Sequence, residues 1–149
     1  MLWGSSTGGE PWSFPLESNQ KLRKIFIDVD ATFIYSIAFA IEDTSSGDSV
    51  HYFQQHGGSK GPSGDTITQI NFDSDEEITG IEGTFMVLYG GRILISSLCL
   101  STNKKTHGPF GKGGGTRFAE SWEKGCFKGF YGRAGYYLDA LGCYLKDIQ

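Results

Sequence analysis

Apolar and polar side chains alternate along several stretches of this chain. Ile25-Phe26-Ile27-Asp28-Val29 and Ile34-Tyr35-Ser36-Ile37-Ala38-Phe39-Ala40-Ile41 are bounded by Gly, Ser, Asp and Asn. A period of two is the signature of a strand with one buried face, and helical spacing of apolar residues is scarce, so the pattern predicts an all-β fold. Two further stretches resemble the second of these: Ile95-Ser96-Ser97-Leu98-Cys99-Leu100 and Leu138-Asp139-Ala140-Leu141-Gly142-Cys143. A Gly-Gly loop also recurs three times, as Thr7-Gly8-Gly9-Glu10, His56-Gly57-Gly58-Ser59 and Gly113-Gly114-Gly115-Thr116. Aligned on these features, Tyr35, Ser96 and Asp139 fall at one equivalent position, and only Asp139 brings a carboxylate there. Each repeat of roughly 50 residues is too small to bury its own apolar face. Three Greek-key units closing into a three-sided prism solve that problem.

Length and composition refine this picture. The 149 residues suit a single domain spanning 1–149 with a real core. Glycine, at 22 residues, is about twice its average usage, which together with 14% aromatics fits many short strands joined by tight turns. A net charge of −4 argues against nucleic acid as a partner. Lys104-Lys105 reads as an exposed edge-strand turn, and Asp73, Asp75, Glu76 and Glu77 as a solvated one. No apolar run approaches the ~18 residues a membrane helix needs, so membrane insertion is not expected. Met1 to Ser6 lack a basic segment leading into an apolar one, and none of Asn19, Asn71 and Asn103 opens a glycosylation sequon. Cys99, Cys126 and Cys143 form an odd set without close-pair spacing, read as free buried thiols. A cytoplasmic or nucleocytoplasmic home is the expectation.

Catalytic signatures are missing from the sequence. His51, His56 and His107 have no metal-ligand spacing with one another or with the cysteines, and no metal or cofactor is expected. Gly111-Lys112-Gly113-Gly114-Gly115-Thr116 lacks the Lys-Ser/Thr ending of a phosphate loop. Glycoside hydrolysis needs two carboxylates flanking the bond, and only Asp139 is placed at the candidate site. The expectation is therefore a non-enzyme.

The chemistry concentrates in Gly132-Arg133-Ala134-Gly135-Tyr136-Tyr137-Leu138-Asp139. A glycine-opened turn there delivers a carboxylate beside free backbone N–H groups. Carboxylate oxygens accept from neighbouring hydroxyls while amides donate to the same hydroxyl oxygens, an arrangement suited to a polyhydroxylated ligand. Taken alone, Asp139 also reads as a turn-capping residue.

Three segments carry a family resemblance: Gly8 to Phe14, Ser101 to Gly111, and Gly129 through Asp139. In order and spacing they resemble the jacalin-related lectins, β-prism carbohydrate-binding domains built from three four-stranded Greek-key sheets with pseudo-threefold symmetry. The resemblance extends along the whole chain. It implies that Gly9 offers a backbone N–H to a sugar hydroxyl, that Tyr136 and Tyr137 offer theirs, and that Asp139 accepts from two hydroxyls. It also implies that Gly135 permits the turn and that Tyr89 lines the pocket rim, where surface packing is the alternative reading.

Galactose-binding members use an amino terminus freed by processing at the glycine loop, whereas Gly9 here is internal. The resemblance thus implies the mannose/glucose-specific subgroup of these plant proteins, with a role in defence or stress. Tyr35 and Ser96 supply no carboxylate, so one site per protomer is expected. Weak single-site affinity implies avidity through a homodimer or homotetramer. The rival reading is a β-prism interaction module that has lost sugar binding.

Overall fold

The computed structural model describes residues 1–30, 32–44, 50–52, 55–58 and 66–146, with the side chains of 50–52 and 66 left out. Ser59 of the second Gly-Gly loop and the His51 side chain therefore lie outside the described residues. The chain forms strands β1 (Leu2–Gly4), β2 (Glu10–Pro15), β3 (Gln20–Val29), β4 (Ile34–Asp43), β5 (Val50–Tyr52), β6 (His56–Gly57) and β7 (Thr66–Asn71). These are followed by β8 (Ile78–Val87), β9 (Ile93–Thr102), β10 (Thr106–Phe110), β11 (Thr116–Ser121), β12 (Phe127–Ala134) and β13 (Leu138–Leu145). All are antiparallel to their partners, and among the described residues there is no helix.

Three sheets repeat one plan, a long central hairpin flanked by two outer strands. Their orders are β1-β13-β12-β2, β10-β9-β8-β11 and β5-β4-β3-β7. The last carries a fifth strand, because the edge of β4 is taken up by two short pieces, β5 and β6, in place of one outer strand. The expected all-β prism of four-stranded units holds with that one elaboration. The central hairpin of the first sheet comes from the C-terminus, and its flanking strands β1 and β2 come from the N-terminus. This pairing across the whole chain sets residues 5–9 beside residues 135–139.

The inner faces meet in one core. Phe14 of β2 stacks on Phe39 of β4 at 4.5 Å between ring centres, and Phe39 stacks on Phe130 of β12 at 5.2 Å, joining two sheets. Trp3 of β1 stacks on Phe118 of β11 at 5.0 Å, joining the third. Each such aromatic contributes about 1.5–3 kcal/mol by leaving water, so the sheets hold one another in place.

Register shifts twice in each central hairpin, and the shift nearer its turn falls at an equivalent position in all three. In the pairing of β3 with β4, Asp28 opposes Ser36 while Val29 opposes Ile34, so Tyr35 is the extra residue. Thr84 opposes Ser97 and Phe85 opposes Ile95, leaving Ser96 extra. Arg133 opposes Ala140 and Ala134 opposes Leu138, leaving Asp139 extra. Tyr35, Ser96 and Asp139 are thus three equivalent β-bulges. A bulge re-aims the side chain it carries, which explains how a polar residue inside an apolar strand can face its neighbouring loop.

The glycines keep the same symmetry with a different membership from the Gly-Gly pairs. Gly4, Gly57 and Gly111 have φ of +107°, +90° and +89°, and a Cβ at each would run into the carbonyl oxygen of Asp139, Tyr35 and Ser96 respectively. These three, rather than the doublets, are the equivalent positions. Gly8-Gly9 and Gly114-Gly115 lead into β2 and β11, whereas Gly57-Gly58 sits at the start of its loop.

At the other end of the strands, the buried Glu76 is a polar anchor. Its carboxylate accepts from Thr102 Oγ1 at 2.7 Å and from the Asp73 N–H at 3.1 Å, and lies 2.9 Å from His107 Nε2. Burial opposes ionisation of Glu76, but the His107, Thr102 and Asp73 contacts outweigh it and hold the carboxyl below its ordinary range. The acidic turn expected to be solvated therefore contains one carboxylate that faces inward.

Candidate functional site

Asp139 sits at the bulge of β13, 2% exposed, against the loop that joins β1 to β2. Its Oδ1 is buried and has no hydrogen-bond partner. A buried acceptor left without a donor costs free energy comparable to a lost hydrogen bond. Burial pushes the Asp139 carboxyl above the usual carboxylate range, against the opposing pull of Arg92 and Arg133.

Gly8 and Gly9 form the wall opposite. A Cβ on Gly8 would lie 2.7 Å from Asp139 Oδ2, and one on Gly9 would lie 2.8 Å from Oδ1. Glycine at both positions leaves room for the carboxylate to lie against this loop. Gly9 also has φ of +64°, a conformation other residues adopt at a cost.

Two side chains fix this loop. Ser5 donates its own N–H to the Asp139 carbonyl at 3.0 Å. Its hydroxyl oxygen accepts from the N–H groups of Gly8 at 2.7 Å and Thr7 at 3.2 Å. From β12, the Arg133 guanidinium donates to the carbonyls of Gly8 at 2.8 Å, Gly9 at 3.1 Å and Thr7 at 3.3 Å. Sequence reasoning missed both residues. Arg133 stood within the quoted motif, but nothing in a sequence says which carbonyls an arginine will reach.

The hairpin turn between β12 and β13 supplies the remaining wall. Gly135 closes it by donating its N–H to the Tyr137 carbonyl at 3.0 Å. Tyr136 is 51% exposed at the tip, and its carbonyl accepts from Gly58 at 3.0 Å, which docks the second glycine loop alongside. The Tyr137 ring is committed elsewhere, edge-on to Tyr35 at 5.4 Å and Phe33 at 5.8 Å. A hydrogen bond with Asp30, followed by burial, pushes the Tyr137 phenol upward. Burial opposes ionisation of Asp30, but hydrogen bonds from Phe33, Thr32 and Tyr137 hold its carboxyl below the usual range. Tyr137 therefore has its backbone to offer, with no acceptor for its N–H among the described residues, and a side chain that braces the turn.

Tyr89, on the turn between β8 and β9, is fully exposed at 105%, so packing is not its role. Gly9, Gly135, Tyr136, Tyr137 and Asp139 come together in one cradle, and Tyr89 stands out into solvent from a neighbouring sheet.

The two equivalent positions are filled from within. Ser96 Oγ donates to the Gly114 carbonyl at 2.8 Å and lies 2.7 Å from Thr84 Oγ1, closing that loop onto its own bulge. At the other, a Cβ on Gly58 would meet the Tyr35 ring at 2.7 Å, so the aromatic side chain occupies the space. Among the described residues no group of histidine, cysteine or acidic side chains could hold a metal ion. The three cysteines are buried free thiols, and burial raises Cys99 and Cys143 above the ordinary thiol range.

The comparisons with known proteins converge. The jacalin-related lectin Calsepa of Calystegia sepium is 37% identical over 144 residues, covering 95% of this chain and 90% of that protein. A mannose/glucose-specific lectin of Parkia pendula is 39% identical over 147 residues, covering 97% of this chain but 31% of that longer protein. The crystal structure of Calystegia sepium agglutinin superposes with a TM-score of 0.81 at 32% identity, covering 99% of this chain and 97% of the other. A mannose-specific jacalin-related lectin from Morus nigra, solved in complex with mannose, gives 0.81 at 30% identity, covering 99% and 92%. The family described as Jacalin-like lectin domain matches residues 1–144. Fold, repeat and sequence agree that this chain belongs to the jacalin-like lectin domain family.

Proposed function

We propose that this chain is a lectin that binds mannose- or glucose-type glycans reversibly, without catalysis, at one site built on Asp139. The observation that carries the reading is the pairing of unmet needs in the cradle. Asp139 Oδ1 is a buried acceptor without a donor, and the Gly9 N–H beside it has no acceptor among the described residues. A vicinal diol meets both, each hydroxyl donating to the carboxylate while its oxygen accepts from an amide. The mannose/glucose preference rests on the relatives' names.

The filled positions at Tyr35 and Ser96 support a single site. A shallow cradle of this kind holds a monosaccharide at about 1 mM, or about −4 kcal/mol. Useful avidity then comes from several cradles presented together, in a homodimer or homotetramer. Retention on immobilised mannose tests the reading directly. The chain should bind the resin, elute with free mannose or glucose and resist elution by galactose. Failure to be retained, or elution by galactose alone, would overturn it.

A further inference from the structure

We infer that Arg133 is the positioning residue of the sugar site, setting the orientation of the Gly8–Gly9 peptide so that the Gly9 N–H faces the ligand. The inference rests on the sugar-binding reading for its purpose, but its structural content stands apart from it.

In a trans peptide the C=O and the following N–H point in opposite directions. Holding a carbonyl on one side therefore aims the next amide at the other side. Arg133 holds three successive carbonyls, those of Thr7, Gly8 and Gly9. The first peptide provides an internal check. With the Thr7 carbonyl on Arg133, the Gly8 N–H should point away, and it does, donating to Ser5 Oγ at 2.7 Å. The third leads into the β2–β12 ladder, where Glu10 pairs with Ala134. The middle peptide has its carbonyl on Arg133 Nε at 2.8 Å, and its amide, that of Gly9, meets no acceptor among the described residues. The residue whose amide is left over lies against the carboxylate, since a Cβ on Gly9 would sit 2.8 Å from Asp139 Oδ1.

A clamp is needed because residues 5–9 lie outside any strand and include two glycines, the residues that lose most backbone freedom on ordering. The planar guanidinium fork suits the task, since it presents several donors in fixed geometry, whereas a lysine ammonium offers a point charge on a flexible stem. Arg133 makes these bonds from the outer face of β12, while Phe130 of the same strand packs into the core. Its substitution should disturb the loop more than the fold.

The test uses the full chain, labelled with nitrogen-15, and methyl-α-mannoside as probe. In the wild type, mannoside should shift the Gly9 amide resonance strongly and the Gly8 amide little, because Gly8 already serves Ser5. In Arg133→Gln the unliganded Gly8 and Gly9 amides should show increased fast motion and faster hydrogen exchange. Mannoside affinity should fall several-fold, up to about tenfold, as expected for one misaligned neutral N–H···O contact. Arg133→Lys should fall between the two. Gly8 responding in place of Gly9, or Arg133→Gln keeping an ordered loop or near wild-type affinity, overturns the inference. Should Arg133→Gln not fold, the wild-type resonance pattern still decides. Should the wild type ignore mannoside, the sugar reading fails, while loop order in the unliganded variants still shows whether Arg133 orients this peptide.

Discussion

Gly8→Ala offers a sharp perturbation, because it adds one methyl group to the wall of the cradle without demanding a strained backbone. Gly8 is not among the glycines with positive φ, unlike Gly9 at +64°. The new Cβ would lie 2.7 Å from Asp139 Oδ2 and 2.9 Å from Ser5 Oγ, where ordinary contact begins at 3.4 Å. The carboxylate must then retreat by about 0.7 Å, the difference between those values, or rotate away. Either movement spoils the geometry of the carboxylate–hydroxyl bonds, which contribute about 1.5–3 kcal/mol each when charge-assisted. Losing one of them lowers affinity by about 10- to 150-fold, taking a millimolar site beyond ~10 mM.

Stability should suffer less, because both obstructing atoms belong to side chains and the added methyl lowers the entropy of the unfolded chain by about 0.4–1 kcal/mol. The assay pairs a mannoside titration followed by ligand-observed NMR with thermal unfolding of the same sample. Loss of binding with a melting temperature within a few degrees of wild type is the expected outcome. Binding within twofold of wild type would refute the claim that Gly8 and Asp139 frame one cradle.

Other expectations follow from the same geometry. The Asp139 carboxyl is raised above its ordinary 3.8, so mannoside binding should weaken as pH falls through that raised value. For stability the sign is reversed: the folded chain holds this proton more tightly than the unfolded one, and stability from this group is lost as pH rises above 3.8. Comparing denaturation of wild type and Asp139→Asn should accordingly show a wild-type deficit that grows from pH 3.8 through the raised value and then levels off. Glu76→Ala removes the acceptor for Thr102 and Asp73 and the partner of His107, and should cost about 2–4 kcal/mol by urea denaturation while leaving mannoside affinity unchanged. The Glu76 contribution is present above pH 4.5 and fades as acid lowers the pH through its depressed value. Tyr89→Ala, at a fully exposed position, should leave the melting temperature unchanged; a fall in affinity for an oligomannoside would place its ring on the glycan.

Much of the site was legible in the sequence because its logic is local. The alternation around Ile25 and Ile37 predicted strands, and the shared pattern around Ile34, Ile95 and Leu138 predicted a threefold repeat with Asp139 as its odd member. The reason these positions are special was hidden. Tyr35, Ser96 and Asp139 are bulge residues, and a bulge depends on the register between two strands, which one strand's pattern does not carry. The Gly-Gly doublets misled for a related reason. The glycines that mark the repeat, Gly4, Gly57 and Gly111, are those whose Cβ would strike the carbonyl of a bulge residue in the adjacent strand. Ser5 and Arg133 act on a loop more than 120 residues away from the arginine in sequence, through carbonyls of unremarkable residues, and no spacing rule reveals such a contact.

The central claim is that one buried carboxylate, Asp139, makes this chain a single-site lectin, and a calorimetric titration with methyl-α-mannoside tests it most directly. Galactose and the Asp139→Asn variant serve as controls. Saturable binding near one equivalent per chain is predicted, together with no response to galactose and loss of binding in the variant. Two or more equivalents per chain, or full affinity in Asp139→Asn, would contradict the account.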